Sequence, residues 1–210
     1  MRVPRETAEA EPALAADLFG ERVDLARRYT ADLVERGEEL GLIGPLELPR
    51  IWTRHVVNSA LAAPLLSGRV GDVGSGAGLP GIVLAIARPD VQFVLIEPME
   101  RRVAWLEEQR ASLGLDNVEV LRARAEEAPR RSLDIVTARA VGALSRLIPL
   151  TAPLARPGGE LLLLKGVAVE QELDKASKVL AKHRLTDVRI EVLGTGMATE
   201  VTRAFRARVN

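Results

Sequence analysis

The sequence contains no cysteine. Disulfides, thiolate-bound zinc and any reaction through a cysteine nucleophile are therefore excluded. Its two histidines, His55 and His183, are too few for a histidine-rich centre, so no metal is expected. Aromatic residues make up 3% of the 210 positions, leaving Trp52, Trp105, Tyr29 and three phenylalanines, a poor supply for stacking nucleobases. Neither sign of charge is in excess: 29 basic and 29 acidic side chains sum to zero, and any polyanion footprint has to be local. Long apolar runs are missing too. The longest, Ile82 to Ala87, is far too short to span a bilayer, and the opening MRVPRETAEAEP has no apolar centre of the kind a secretory signal needs. The expectation is a cytoplasmic enzyme without membrane contact.

What is present suffices for one α/β unit, since 47% of the chain is hydrophobic and its length allows a full core plus a small appendage. From Ala13 to Leu40 apolar residues recur at helical spacing, interrupted by glycines, and predict two helices. After the turn-like GLIGPLELP, the stretch Pro49 to Leu66 predicts a third, with Ile51, Trp52, Val56, Ala60 and Ala63 on its apolar face. Residues 1–66 thus read as an N-terminal helical extension. From 67 to 210 the pattern changes to short apolar runs at 70–73, 91–97, 118–123, 133–138, 160–165, 188–193 and 201–209, the first five separated by amphipathic stretches. That alternation predicts a mostly parallel, doubly wound sheet in one compact unit, with the last two runs forming an antiparallel hairpin at its end.

In such sheets ligands bind beyond the carboxyl ends of the strands. The rule selects Asp72 to Gly78, Glu97, Arg124 to Glu126, Arg139, and Lys165 with Gly166. The first of these, DVGSGAGLPG, holds two overlapping patterns: an acidic residue before Gly74, Gly76 and Gly78, and a G-x-G-x-x-G from Gly76 to Gly81, the dinucleotide pattern. Glu97, 19 residues after Gly78, is placed to accept hydrogen bonds from a ribose, which both NAD and S-adenosylmethionine carry. Asp72 separates them. Its carboxylate would repel a pyrophosphate and would suit the α-ammonium of S-adenosylmethionine. In that frame Pro80 fits the first turn of the next helix, and Gly81 serves close packing of helix on sheet.

The basic candidates have bland alternatives. Arg139 and Lys165 are strand-end cations that could be solvated, although Lys165 directly follows four leucines. His55, in RHVVNS, reads first as a histidine hydrogen-bonded between the helical extension and the sheet, and second as a catalytic group. From Lys178 onward seven basic residues (Lys178, Lys182, Arg184, Arg189, Arg203, Arg206, Arg208) face three acidic ones (Asp187, Glu191, Glu200), a local positive balance that is weak support for nucleic acid.

Taken together, RHVVNSA at 54–60, DVGSGAGLPGIVLAI at 72–86, LIEPMERRVAWL at 95–106, RAEE at 124–127, DIVTARAV at 134–141 and ELLLLKG at 160–166 resemble the small-subunit ribosomal RNA guanine-N7 methyltransferases called RsmG or GidB. The resemblance implies a class I, Rossmann-like methyltransferase fold, S-adenosylmethionine as methyl donor, and N7 of one guanine in 16S ribosomal RNA, alone or within the small subunit, as acceptor. By matching positions it implies Gly74, Leu79, Glu97, Ala125, Glu126 and Arg139 at the cofactor, and the acidic glycine pattern adds Asp72, Gly76 and Gly78 to that expected site. Arg139 and Lys165, which the resemblance puts near the incoming nucleotide, are the expected catalytic residues; with Arg54 and His55 of the R-H helix and Arg203 of the basic cluster, Lys165 makes up the expected RNA-facing set, on an expected monomer. One departure is local: where the family often has Asn-Leu-Thr before the R-H helix, this chain reads GLIGPLEL.

The chemistry agrees with the absences. Guanine N7 has a lone pair and no proton, so methylation there needs alignment and no base. Pyrimidine C5 methylation would need a cysteine, and exocyclic amino methylation an Asn/Asp-Pro-Pro-aromatic run where this chain has TARA. Two rivals are an NAD-dependent oxidoreductase, from the overlapping glycine pattern, and a non-catalytic RNA-binding factor on a methyltransferase scaffold.

Overall fold

Valine, isoleucine and leucine dominate the predicted runs, and every run pairs into one sheet of seven strands in the order β3-β2-β1-β4-β5-β7-β6. The strands are β1 Arg69–Val73, β2 Gln92–Ile96, β3 Val118–Leu121, β4 Leu133–Arg139, β5 Ala155–Lys165, β6 Leu185–Leu193 and β7 Thr202–Val209. The first five pair in parallel, and β7 runs antiparallel to both neighbours, slotted between β5 and β6. The computed structural model describes residues 8–139, 142–197 and 199–210. Ala140 and Val141, within the resemblance, lie outside them.

Helices cover both faces. Along β5, Leu162 and Leu164 join the layer containing α4 (Gly81–Ala87) and α5 (Glu100–Leu113), while Leu161 and Leu163 join the layer of α6 (Leu144–Thr151), α7 (Val169–Lys175) and α8 (Ser177–Lys182). Two-residue alternation thus feeds two cores from one strand. The extension supplies α1 (Leu14–Phe19) and α2 (Val23–Arg36), whose Ala15, Phe19, Tyr29 and Leu33 are buried in the first of these cores.

The predicted third helix is wound differently. Its stretch divides into a 3-10 segment at Pro45–Arg50, a π-helix at Ile51–Val57, the single turn α3 at Asn58–Ala60 and a second 3-10 turn at Ala63–Leu65. Pro45, Pro49 and Pro64 lack the N–H that a continuous α-helical ladder would use. The predicted apolar face survives this change: Ile51, Trp52, Val56, Ala60 and Ala63 are all buried.

Candidate functional site

Strand β1 ends in a loop in which Gly74, Gly76 and Gly78 all have positive φ, at 72°, 56° and 98°. At Gly78 a side chain would meet both strain and steric conflict, because a Cβ would lie 2.5 Å from Ile82 Cγ1. The loop is fixed from three directions. Glu97, buried at the end of β2, accepts from the Gly76 N–H at 2.9 Å with Oε2 and from the Met99 N–H at 3.0 Å with Oε1. The Ala77 carbonyl accepts from Trp105 Nε1 (2.8 Å) on α5 and from the Tyr29 hydroxyl (3.0 Å) on α2. One carbonyl therefore joins the glycine loop, the sheet layer and the helical extension.

Over this loop opens a cavity of about 550 Å³ lined by Gly74, Gly76, Leu79, Glu97 and Arg139, as expected. It is also lined by residues that motif reading missed: Leu42, Ile43, Gly44 and Glu47, from the GLIGPLEL stretch, and Met99 and Arg102 after β2. The apolar pair Leu42–Ile43 inside a turn was the one available signal. A second cavity, of about 230 Å³, is lined by Arg54, His55, Asn58, Arg139, Lys165 and Glu200 among others. Arg139 and His55 line both cavities and so stand where the two meet.

Arg139, at the last position of β4, donates from Nη1 to the Arg54 carbonyl at 3.1 Å, and its Nη2 lies 2.7 Å from His55 Nδ1. His55 Nε2 lies 2.8 Å from Glu47 Oε2. The reading of His55 as a link between extension and sheet matches this geometry. Arg54 points its guanidinium at two carboxylates, Glu47 at 3.2 Å and Glu200 at 3.3 Å.

Five expected residues are not on the cavity walls. Gly78 is turned into packing against Ile82 and Leu106. Ala125 and Glu126 sit on a 3-10 turn after β3 that lines neither cavity. Arg203 is tied to Glu170 at 2.9 Å, and the other β7 arginines are likewise paired, Arg206 with Glu160 and Glu191 and Arg208 with Asp187. The arginines of β7 thus face cross-strand and helical carboxylates, and only part of the local positive balance is left open. Asp72 is fully buried, with Oδ2 accepting from the Gly81 N–H at 3.0 Å and Oδ1 without a hydrogen-bond partner. Gly81 fits closely at this point, since a Cβ there would come within 2.6 Å of that same Oδ2. Lys165 does reach the second cavity, yet its ammonium is engaged by Glu172 (2.8 Å) and the Gly142 carbonyl (2.5 Å).

Burial, the largest cause, pushes the Asp72 carboxyl up to about 7 from an ordinary 3.8, against the opposing pull of its hydrogen bonds and of Arg139. Between these values the folded protein holds a proton that the unfolded chain has released, so stability contributed by this group falls as pH rises from 4 to 7 and levels off above. Asp72→Asn keeps an acceptor for Gly81 and cannot ionise. The stability difference between variant and wild type should therefore grow in the variant's favour across that window, as read from urea melts at several pH values; a difference independent of pH would refute the assignment.

Comparison with known proteins agrees with this architecture. The profile of the GidB family, rRNA small subunit methyltransferase G, matches residues 22–201. A ribosomal RNA small subunit methyltransferase G from Clavibacter sepedonicus is 63% identical over 210 residues, covering 99% of this chain and 100% of its own. Among solved structures, a predicted O-methyltransferase from Agrobacterium tumefaciens superposes with a TM-score of 0.57 at 18% identity, covering 73% of this chain and 80% of its own. TYW2 of P. horikoshii, solved in complex with MeSAdo, gives 0.57 at 13% identity, covering 74% and 62%. These two share the fold.

Proposed function

The chain belongs to the GidB family, rRNA small subunit methyltransferase G, and from that premise we propose that it transfers the methyl group of S-adenosylmethionine to N7 of a guanine in the RNA of the small ribosomal subunit. The observation that carries the reading is the pair of cavities meeting at Arg139 and His55, one floored by the glycine loop and the other, of about 230 Å³, suited to a single base. Neither the oxidoreductase nor the non-catalytic scaffold finds support in the family.

The residues present fit the cofactor. Glu97 offers a buried carboxylate at the loop, and Leu42, Ile43, Leu79 and Met99 give apolar walls. When bound, S-adenosylmethionine supplies a methyl group on a positively charged sulfur. The chain's task is then alignment: it holds the base in the smaller cavity and excludes water, and no proton has to move because N7 carries none. Arg139 cannot stabilise the positive charge that develops on the ring. Its contribution is orientation, through donors to guanine O6 or a phosphate and through its planar face. Lys165 assists from the far wall, either by tethering the chain at Gly142 or by leaving Glu172 for a phosphate.

Small subunits lacking the modification, incubated with enzyme and labelled S-adenosylmethionine, should take up label at N7 of one guanine. Label on another base or atom, or none at all, would sink the proposal.

A further inference from the structure

A guanidinium carries donors only. With Arg139 Nη2 at 2.7 Å, His55 Nδ1 must be the accepting, unprotonated nitrogen, and the ring proton then sits on Nε2, where Glu47 Oε2 accepts it at 2.8 Å. Arg139 is gripped a second time by the Arg54 carbonyl at 3.1 Å. Both grips come from consecutive residues of the π-helix Ile51–Val57, a winding uncommon in proteins and often found at functional positions. Glu47 comes from GLIGPLEL, in the 3-10 segment Pro45–Arg50 that leads directly into this π-helix.

Resting on the methyl-transfer reading, we propose that Glu47 and His55 are positioning residues: Glu47 fixes the Nε2–H tautomer of a neutral His55, whose Nδ1 holds the Arg139 guanidinium in the plane that orients the target base. Neither touches the reacting atoms in this scheme; both act through Arg139. The arrangement is sensitive to a proton. If His55 becomes cationic, an N–H at Nδ1 faces an N–H of Arg139, two donors and two like charges across one short contact, and the clamp opens.

The groups facing His55 are Glu47 from the 3-10 segment, Arg54 beside it and Arg139 from β4. Burial and then Arg139 hold its imidazole below the ordinary 6.5, with Glu47 opposing them. The clamped form is therefore the one present at neutral pH, and methyl transfer falls only at more acidic values.

The test is the pH profile of kcat on small subunits for the wild type, His55→Ala, His55→Asn and Glu47→Gln, with melting and S-adenosylmethionine calorimetry as checks of folding. Asparagine places an amide oxygen near the position of Nδ1 and does not titrate. His55→Ala should lose kcat about tenfold to a hundredfold, the scale of a displaced orienting group, and should cause no further loss in an Arg139→Ala background. His55→Asn should recover most of the rate and lack the acid limb seen in the wild type. Glu47→Gln should shift that limb further down in pH, because the opposing carboxylate is gone. An acid limb retained unchanged in His55→Asn, or a fully active His55→Ala, overturns the clamp while leaving the methyltransferase reading intact. If His55→Ala does not fold, the His55→Asn profile alone decides. Failure of the wild type to label small subunits at any pH instead overturns the reading on which the clamp rests.

Discussion

Arg139→Ala should lose methyl transfer to small subunits by about a hundredfold or more, the scale on which misplacement of one reacting partner acts, while the fold remains. The loss comes from two directions. The substitution removes a side chain that, with His55, lines both cavities, and it leaves the acceptor at His55 Nδ1 and the Arg54 carbonyl without this donor. Burial, the largest cause, lowers the affinity of Arg139 for its proton, so holding it in place has a cost that alanine relieves. A modest change in melting temperature should accordingly accompany a large change in kcat. Arg139→Lys is the sharper comparison, because it retains charge and loses the planar fork. Little rescue by lysine would identify geometry as the contribution; near-complete rescue would mean that charge alone suffices and would contradict the orienting role.

The parts of the molecule set by side-chain period were legible in the sequence. Strand positions, the apolar face of the third helical stretch and the strand-end sites all follow from alternation, helical spacing and the rule for parallel sheets. Backbone winding was not. Ile51, Trp52 and Val56 share a face whether the segment is α or π, so the pattern of burial carries no trace of the π-helix that turns Arg54 O and His55 toward Arg139. Partners distant in the chain were equally hidden: Glu47 next to His55 is local, but Glu172 next to Lys165 and Glu160 next to Arg206 depend on which helix and strand come to lie alongside. For that reason the count of basic residues after Lys178 overstated the exposed positive charge. Asp72 is a third case. Its spacing from the glycines marks it as part of the loop, yet only the structure places it beneath the loop, bonded to Gly81 and short of one partner.

The helical extension and the cofactor loop share a joint at the Ala77 carbonyl, and Trp105 is its largest member. It is 2% exposed, donates to that carbonyl at 2.8 Å, and has the Arg36 guanidinium 5.4 Å from its ring centroid. Trp105→Ala should cost about 3–5 kcal/mol of unfolding free energy, as expected for a buried tryptophan truncated to alanine. For a chain of this size that corresponds to a melting temperature lower by roughly 6–20 °C. Tyr29→Phe removes the second donor to the same carbonyl and keeps the ring, so its cost should be near one hydrogen bond, about 1 kcal/mol. Trp105→Phe separates the two contributions of the indole: it restores much of the packing and none of the N–H. If the hydrogen bond holds the loop in its binding shape, Trp105→Phe should recover most of the melting temperature and still bind S-adenosylmethionine more weakly than the wild type by calorimetry. Wild-type affinity in Trp105→Phe would mean that packing alone fixes the loop, with Glu97 and the Gly76 N–H sufficient to hold the glycines over the cavity floor.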